Sequence, residues 1–580
     1  MHQPHQQALQ SSYFTYRVYP FVRPPELSEG RQGRYPVVIV GAGPVGLVLA
    51  IQLASHGVRC VLVEAEAQVS GGSRALALTK RSMEIIEQSG VAERFLAGAK
   101  TWNEGRSYYR NHVVHRLHIP FAADDKFAPM TNLAQCVMED ILLARCRELG
   151  VDLRWQTQLT ALSGAAEAGD GDGPVTLTLD TPEGEYRLQA DWLVACDGAR
   201  STVRRLQGLR FEGQSYESRF VIADFNIDLD EPYGRRCYFD PPWLPGHTAL
   251  MHRAPGGVWR LDYQVPAEVS DEEALEPARI RSHIDAHLRY IGVDKPWRFE
   301  WTTLYKPNAL TLDSYRHGRV LYAGDAAHLL PVFGVRGMNT GVQDAINLGW
   351  KLAAVARGEA PPGLLDSYSS ERVADARQIC REAGMSTRMV APPSRGHRVM
   401  QQAVLSLSMN HEFPRGLLHW RTSHPIDCAD SPLTWHDASE SAFGAGPRPG
   451  APARNVRLAG GGYLLDAFEP AFQVCVFGAD AATWEAARED VAHLRAQGRR
   501  VRLLAIGAGG APVAVEGADA VLPDADGQAR RLWGAEEGAV YVLRPDQHVC
   551  ARWKPGSPTR VRQVIERIFN PTPTVNEATP

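Results

Sequence analysis

No apolar run in this sequence is long enough to cross a membrane. The longest uncharged apolar segment, Pro36 to Ile51, is broken by Pro44 and three glycines. It also falls short of the roughly 20 residues that a spanning helix needs. Met1 to Gln10 is polar, with no apolar stretch behind a basic head, so no signal peptide is read there. Cysteine is sparse: nine residues stand singly, with no Cys-x-x-Cys pair and no metal-ligand spacing. That pattern fits a reducing cytoplasm rather than a disulfide framework, and it offers no metal site. Long runs of one charge are absent too. The net charge is −4, and basic residues cluster only in pairs such as Arg204-Arg205 and Arg499-Arg500. This argues against nucleic acid or an acidic membrane surface as partner. There is no internal repeat. Apolar residues at 44% and charged residues at 22% are ordinary for a globular chain, and 580 residues call for about two to four domains.

Residues 1–34 read as an N-terminal arm. Pro20, Pro24 and Pro25 forbid regular helix there, while Tyr13, Phe14, Tyr16 and Phe21 are available to pack on the body. At Val37 the character changes. Val37–Val40 reads as a buried strand, Leu47–Ser55 as a helix stopped by Gly57, and Cys60–Val63 as a second buried strand. This βαβ unit predicts a parallel, doubly wound sheet. Val175–Leu179 and Tyr186–Ala190 alternate around Thr181-Pro-Glu-Gly184, a hairpin signal, and Trp192–Ala195 reads as a further buried strand. Residues 206–310 carry many short alternating stretches between Pro/Gly turns and read as an inserted, mostly β domain. Val320–Ala323 returns to buried-strand character, and Thr340–Ala356 has a helical apolar period. The α/β nucleotide domain is therefore expected over 35–205 and 311–395. Residues 396–450 read as an irregular linker, and a fresh α/β pattern fills 451–580.

Three motifs carry chemistry. Gly41-Ala-Gly43-Pro-Val-Gly46 lies between strand and helix, with Glu64 ending the next strand. Glycine at 41 permits a tight turn, Gly43 admits a pyrophosphate, and Gly46 lets helix and strand pack closely. The helix N-terminus offers N–H groups to phosphates. Glu64 is suited to ribose hydroxyls and would repel a 2′-phosphate, so the site favours the AMP half of FAD, or NAD, over NADP. Cys196-Asp197-Gly198-Ala-Arg-Ser201 follows the strand at 192–195; taken alone, Asp-Gly is first a turn. Gly324-Asp325-Ala-Ala-His328 follows the strand at 320–323, with Pro331 and Gly337-Met338-Asn339-Thr340 opening a helix. Asp325 is a candidate for sugar-like hydroxyls, and His328 reads as a structural histidine.

In this order and spacing the motifs resemble the class A flavoprotein aromatic hydroxylases, typified by p-hydroxybenzoate hydroxylase and phenol hydroxylase, over about residues 36–390. The resemblance implies that Gly41, Gly43, Gly46 and Glu64 hold the ADP half of FAD. Arg74 would lie near the flavin phosphates and Gln135 beside the flavin. Asp197 and Gly198 would serve FAD and NAD(P)H, Asp325 the ribityl chain, and the helix start at Gly337, Met338 and Asn339 the flavin's pyrimidine edge, with Gly324 and Pro331 also among the cofactor-binding residues. It further implies that NAD(P)H reduces FAD, that O2 adds at flavin C4a, and that one oxygen passes to an electron-rich ring carbon of a small aromatic substrate. Residues 451–570 resemble the thioredoxin-like tail of phenol hydroxylase relatives and carry no redox Cys-x-x-Cys pair, which leaves structure or assembly as the tail's role. A homodimer stays open.

One departure stands out. Where relatives read Pro-Pro-Phe-Gly-Gly-Gln-Gly, this chain reads Pro331-Val-Phe-Gly-Val-Arg336-Gly337, a fixed positive charge in place of a neutral amide. For a polar relay at the substrate, Tyr238, His252, Arg260, Tyr263 and Tyr305 are the candidates from the β domain. Arg260, Tyr263, Tyr305 and Arg336 form the expected catalytic set. Two alternatives stay open: an epoxidase or halogenase on the same fold, although the Trp-x-Trp-x-Ile-Pro halogenase signature is absent, and a non-catalytic nucleotide sensor.

Overall fold

The computed structural model describes residues 7–164, 173–230, 234–418, 424–437, 443–444, 446–478, 480–507, 515–555 and 560–569. Its first sheet is built on Gly33–Val40, whose last four residues are fully apolar and buried. That strand pairs in parallel with Cys60–Val63 on one side and with Gly184–Ala195 on the other. Val320–Tyr322 and Asp152–Arg154 extend the parallel core at its two ends. The helix Pro44–Ser55 leaves the first strand toward Cys60, while the neighbour on the far side arrives from much later in the chain. The first strand is thus where the winding of the sheet reverses, and the groove at its carboxyl end is where α/β sheets take ligands. The hairpin at Thr181–Gly184 is present, and its second arm runs unbroken into the buried stretch read separately at 192–195.

The second sheet has seven strands and takes two of them, Glu104–Tyr109 and His112–His118, from outside 206–310. The helix Pro277–Tyr290 covers one face, with Ile280, Ile284 and Leu288 packed on Val221, Phe225, Trp259 and Leu261. The opposite face looks onto the first sheet. The C-terminal sheet has strands Phe472–Phe477, Val501–Gly507 and Ala520–Pro523 in parallel; Val540–Leu543 runs antiparallel to Phe472–Phe477, and Val549–Trp553 runs antiparallel to Val540–Leu543.

Two local expectations need correction. Pro25–Glu29 forms one helical turn inside the arm, with Pro25 in the first turn, where its missing N–H costs nothing. The segment read as an irregular linker opens with the helix Arg395–Ser408, capped by Ser394 accepting from the His397 N–H. It follows the 27-residue helix Leu364–Val390. Among the described residues no helix is long and apolar enough to cross a membrane.

The C-terminal sheet is joined to the first through buried charge. Glu371 accepts from Arg544 Nη1 at 2.6 Å, Lys351 Nζ at 2.8 Å and Asn347 Nδ2 at 2.6 Å. Arg544 also binds Asp546 at 2.6 Å, and Asp546 accepts from Trp350 Nε1 at 3.1 Å. Lys351, Glu371, Arg544 and Asp546 are each at most 1% exposed in their side chains. Two cations face two anions, so the group is neutral only while intact. The arginine and lysine hold the Glu371 carboxyl far below its usual range despite burial. Glu371→Gln leaves buried positive charge unbalanced, and a loss of about 3–5 kcal/mol is expected, read as a lower urea midpoint. A carboxyl depressed by folding contributes stability that is complete above its unfolded pKa and fades as pH falls below it. The wild type should therefore lose stability on acidification below about pH 4, more steeply than Glu371→Gln.

Candidate functional site

A cavity of about 1140 Å³ lies between the first two sheets, and most of the sequence-singled residues line it. The first motif forms one end. Gly41 has φ +105°, and a Cβ there would lie 2.5 Å from the Cys196 carbonyl oxygen. A Cβ on Gly46 would lie 2.0 Å from the Gly41 carbonyl oxygen, so Gly46 faces the strand and not the cavity. Gly43 differs from both. Its φ of −71° and ψ of 178° suit any residue, and a Cβ there would meet no protein atom within 4 Å. Neither backbone nor packing asks for glycine at 43. Space in the cavity does. Gly43 precedes the helix Pro44–Ser55, whose N-terminus no side chain caps, so its free N–H groups stay available to an anion. Glu64 lines the same end, accepting from the Ala42 and Glu66 N–H groups at 2.7 and 3.0 Å. Burial raises its carboxyl above the usual range, opposed by those bonds. These features fit the ADP half of FAD.

The loop 70–75 is pinned from two sides. Gln135 accepts from the Ala75 N–H at 3.0 Å and donates to Glu139 at 2.8 Å, while Glu139 accepts from the Ser70 N–H at 2.6 Å. From the second sheet, Arg260 donates to the Arg74 carbonyl at 2.8 Å and to Asp224 at 3.0 Å, with Ser73 bonded to both side chains. Arg260 thus ties the second sheet to the loop 70–75. Arg74 itself is exposed, with φ +24°.

In the second motif Asp197 accepts from the Ser201 hydroxyl and from the Thr202 and Val203 N–H groups, which fixes the turn, while Gly198 takes φ +76°. Both residues line the cavity. In the third, His328 Nε2 lies 2.7 Å from Asp344, both fully buried, and Arg372 and the Gly324 N–H bind the same carboxylate. His328 is structural. Asp325 faces the cavity near Gly337, and the surrounding protein lifts its carboxyl above the usual range. Gly324 lies against Val45, and Pro331 is buried; neither lines the cavity. Met338 does line it. Asn339 does so while tying the helix start to Thr79, Ala77 and Val335. Val335 has φ +61°, an unfavourable conformation for a β-branched residue. Arg336 is 2% exposed, lines the cavity and sits 3.4 Å from Glu382.

Strand alternation divides the relay candidates. On Val258–Val265, Arg260 and Asp262 face the cavity, whereas Trp259, Leu261 and Tyr263 face the covering helix. Tyr263 stacks on His283 at 4.6 Å, and Tyr238 packs edge-on to His287, both away from the cavity. These two are corrected: residues of opposite parity on an unbulged strand cannot serve one face. His252 and Tyr305 do line the cavity, and the Tyr305 oxygen accepts from the Val332 N–H at 2.8 Å. Sequence reading missed Arg235, Asp262 and Trp301 there. Asp262 was accessible from its two-residue spacing to Arg260.

A family model described as "FAD binding domain" matches residues 34–383. The chain belongs to the FAD-binding domain family of flavoprotein monooxygenases. Its relatives include a 3-(3-hydroxy-phenyl)propionate/3-hydroxycinnamic acid hydroxylase of Mycolicibacterium smegmatis. That protein is 33% identical over 367 residues, which are 63% of this chain and 62% of the relative's own length. A 12-dehydrotetracycline 5-monooxygenase/anhydrotetracycline 6-monooxygenase of Streptomyces rimosus subsp. rimosus is 32% identical, over 66% of this chain and 76% of that protein. Among solved structures, aklavinone-11 hydroxylase with FAD and aklavinone has a TM-score of 0.71 and 26% identity, covering 93% of this chain and 100% of that one. The flavin-dependent monooxygenase PieE shares the fold at a TM-score of 0.75 and 24% identity, over 93% and 99% of the two chains.

Gly43→Val tests the cradle. Its backbone accepts valine, so the variant should purify folded by circular dichroism and nearly free of flavin. Full flavin content would show that no pyrophosphate approaches there. Gly46→Val should fail earlier, at folding, because its Cβ meets a backbone carbonyl.

Proposed function

We propose that this flavoprotein is an NAD(P)H-dependent monooxygenase that hydroxylates a phenolic or related aromatic ring. One observation carries the reading: the glycine that only a ligand explains, Gly43, opens into the same cavity as the polar face of the second sheet. Bound FAD supplies hydride acceptance from NAD(P)H and activation of O2. The chain's own residues do the rest. Gly43 and the helix behind it receive the pyrophosphate, Glu64 the ribose, and Asp325 the ribityl hydroxyls. The uncapped start of Gly337–Ala356, with Arg336 before it, directs positive potential into the cavity and favours an anionic flavin. Ile222, Leu250 and Phe333 supply apolar wall that holds an aromatic ring and keeps water out. The hydroxyphenylpropionate and polycyclic substrates in the relatives' names support a phenolic ring. The C-terminal sheet, read as thioredoxin-like, serves stability.

With isotopically labelled dioxygen, a phenol that stimulates NAD(P)H oxidation should yield product carrying one labelled oxygen; unlabelled product excludes a monooxygenase. One dinucleotide fingerprint in the chain leaves NAD(P)H a transient guest. Stopped-flow reduction of the flavin should therefore be slow with NAD(P)H alone and much faster once that phenol is bound. Equal rates would contradict gating by substrate.

A further inference from the structure

The cavity face of the second sheet carries charge in rows. Arg235, His252, Arg260, Asp224 and Trp301 stand side by side across five strands. In the next row Asp262 stands between Leu250 and Ile222. Arg260 and Asp224 neutralise one another at 3.0 Å and are occupied with Ser73 and Arg74. Asp262 is different. It lines the cavity with 13% of its side chain exposed, and its cross-strand neighbours are apolar. Its Oδ1 is buried with no hydrogen-bond partner among the described residues. Its Oδ2 lies 3.9 Å from His252 Nε2, outside hydrogen-bond range. A carboxylate so poorly supplied with donors, beside an aromatic-sized space, holds a proton tightly when one is offered.

We propose that Asp262 is the catalytic base of the reaction, taking the proton of a substrate ring hydroxyl, with His252 as a positioning residue beside it. The inference rests on the aromatic-hydroxylase reading above and names a residue that performs its proton step. In that step the substrate O–H bond breaks and an O–H bond forms at Asp262 Oδ2. The electron pair stays on the ring oxygen as a phenolate, which makes the ring more electron-rich, and no external oxidant or reductant is involved. The negative charge passes from Asp262 to the ring, still within the field of Arg235 and Arg260.

The charges that face Asp262 set its working range. Burial raises its carboxyl to about 7; Arg260 on its own strand and Arg235 pull it down, and Asp224 pushes it up. His252, buried and beside both arginines, is held neutral, its pKa far below the usual imidazole value. A base poised near the operating pH is the efficient one. Because Asp262 accepts a proton only when ionised, hydroxylation should rise with pH through about 7 and fall on the acid side.

The test uses the FAD-loaded full chain. Wild type, Asp262→Asn, Asp262→Glu and His252→Gln are compared on 3-(3-hydroxyphenyl)propionate, 1-naphthol and a hydroxyanthraquinone. For each phenol that wild type hydroxylates, kcat is measured against pH, and ionisation of bound 4-nitrophenol is read from its phenolate band. Asp262→Asn should lose about 100-fold in kcat, lose the rising acid limb, and bind 4-nitrophenol in its neutral form where wild type binds phenolate. Asp262→Glu should restore the limb, and His252→Gln should move its midpoint. Hydroxylation by Asp262→Asn with the wild-type rate and limb overturns the assignment alone. So does Asp262→Glu without a limb, should the asparagine variant fail to retain FAD. Wild-type holoenzyme that hydroxylates no phenol of the set overturns the aromatic-hydroxylase reading itself.

Discussion

The site depends first on how closely one helix approaches one strand. Gly46 lies so near the Gly41 carbonyl that any side chain there would overlap it. That approach fixes the helix Pro44–Ser55 over the carboxyl end of the central strand. It also brings the ends of Gly33–Val40, Gly184–Ala195 and Val320–Tyr322 to one edge of the sheet. Gly341 repeats the device on the later helix, where a Cβ would strike Val45. With both helices drawn in, Glu64, Asp197 and Asp325, separated by long stretches of chain, line one cavity.

The second constraint is the period of two along a strand. It sorts the residues of the inserted sheet between a helix-covered apolar face and a polar face on the cavity. Arg260 shows what the polar face does for the nucleotide domain. By binding the Arg74 carbonyl and Asp224 together, it holds the loop at 70–75 against the sheet. The third motif is braced from behind by Asp344, which collects His328, Arg372 and the Gly324 N–H in a fully buried group. Arg372 belongs to the same long helix as Glu371, so the brace continues into the neutral ion group that joins the C-terminal sheet. Rigidity at the cavity is thus shared by the nucleotide, inserted and C-terminal sheets.

Much of this was legible in the sequence because local signals and tertiary need coincide. The run Val37–Val40, the glycines after it and Glu64 form a pattern that makes sense only as strand, turn and helix around a nucleotide. Other parts were hidden for identifiable reasons. Arg395–Ser408 was lost among Pro, Ser and His that read as loop, although Ser394 is a sound cap. Glu104–Tyr109 pairs with Arg235–Phe239 across more than a hundred residues, a distance at which periodicity says nothing about partners. Tyr263 has suitable chemistry but the parity of the helix-covered face. Asp262, two residues from Arg260, shares its parity and therefore its cavity face. Val335 gave no sign of its left-handed backbone, which the helix start and Asn339 impose together.

The whole arrangement turns on one cavity holding FAD, with its ADP half against the first motif. An experimental structure of the FAD-loaded chain tests this most directly. Pyrophosphate density is expected beside Gly43, with Glu64 turned from the Ala42 N–H, where it rests at 2.7 Å, toward the ribose hydroxyls. FAD bound outside the cavity, or bound inside it with Gly43 and Glu64 untouched, would contradict it.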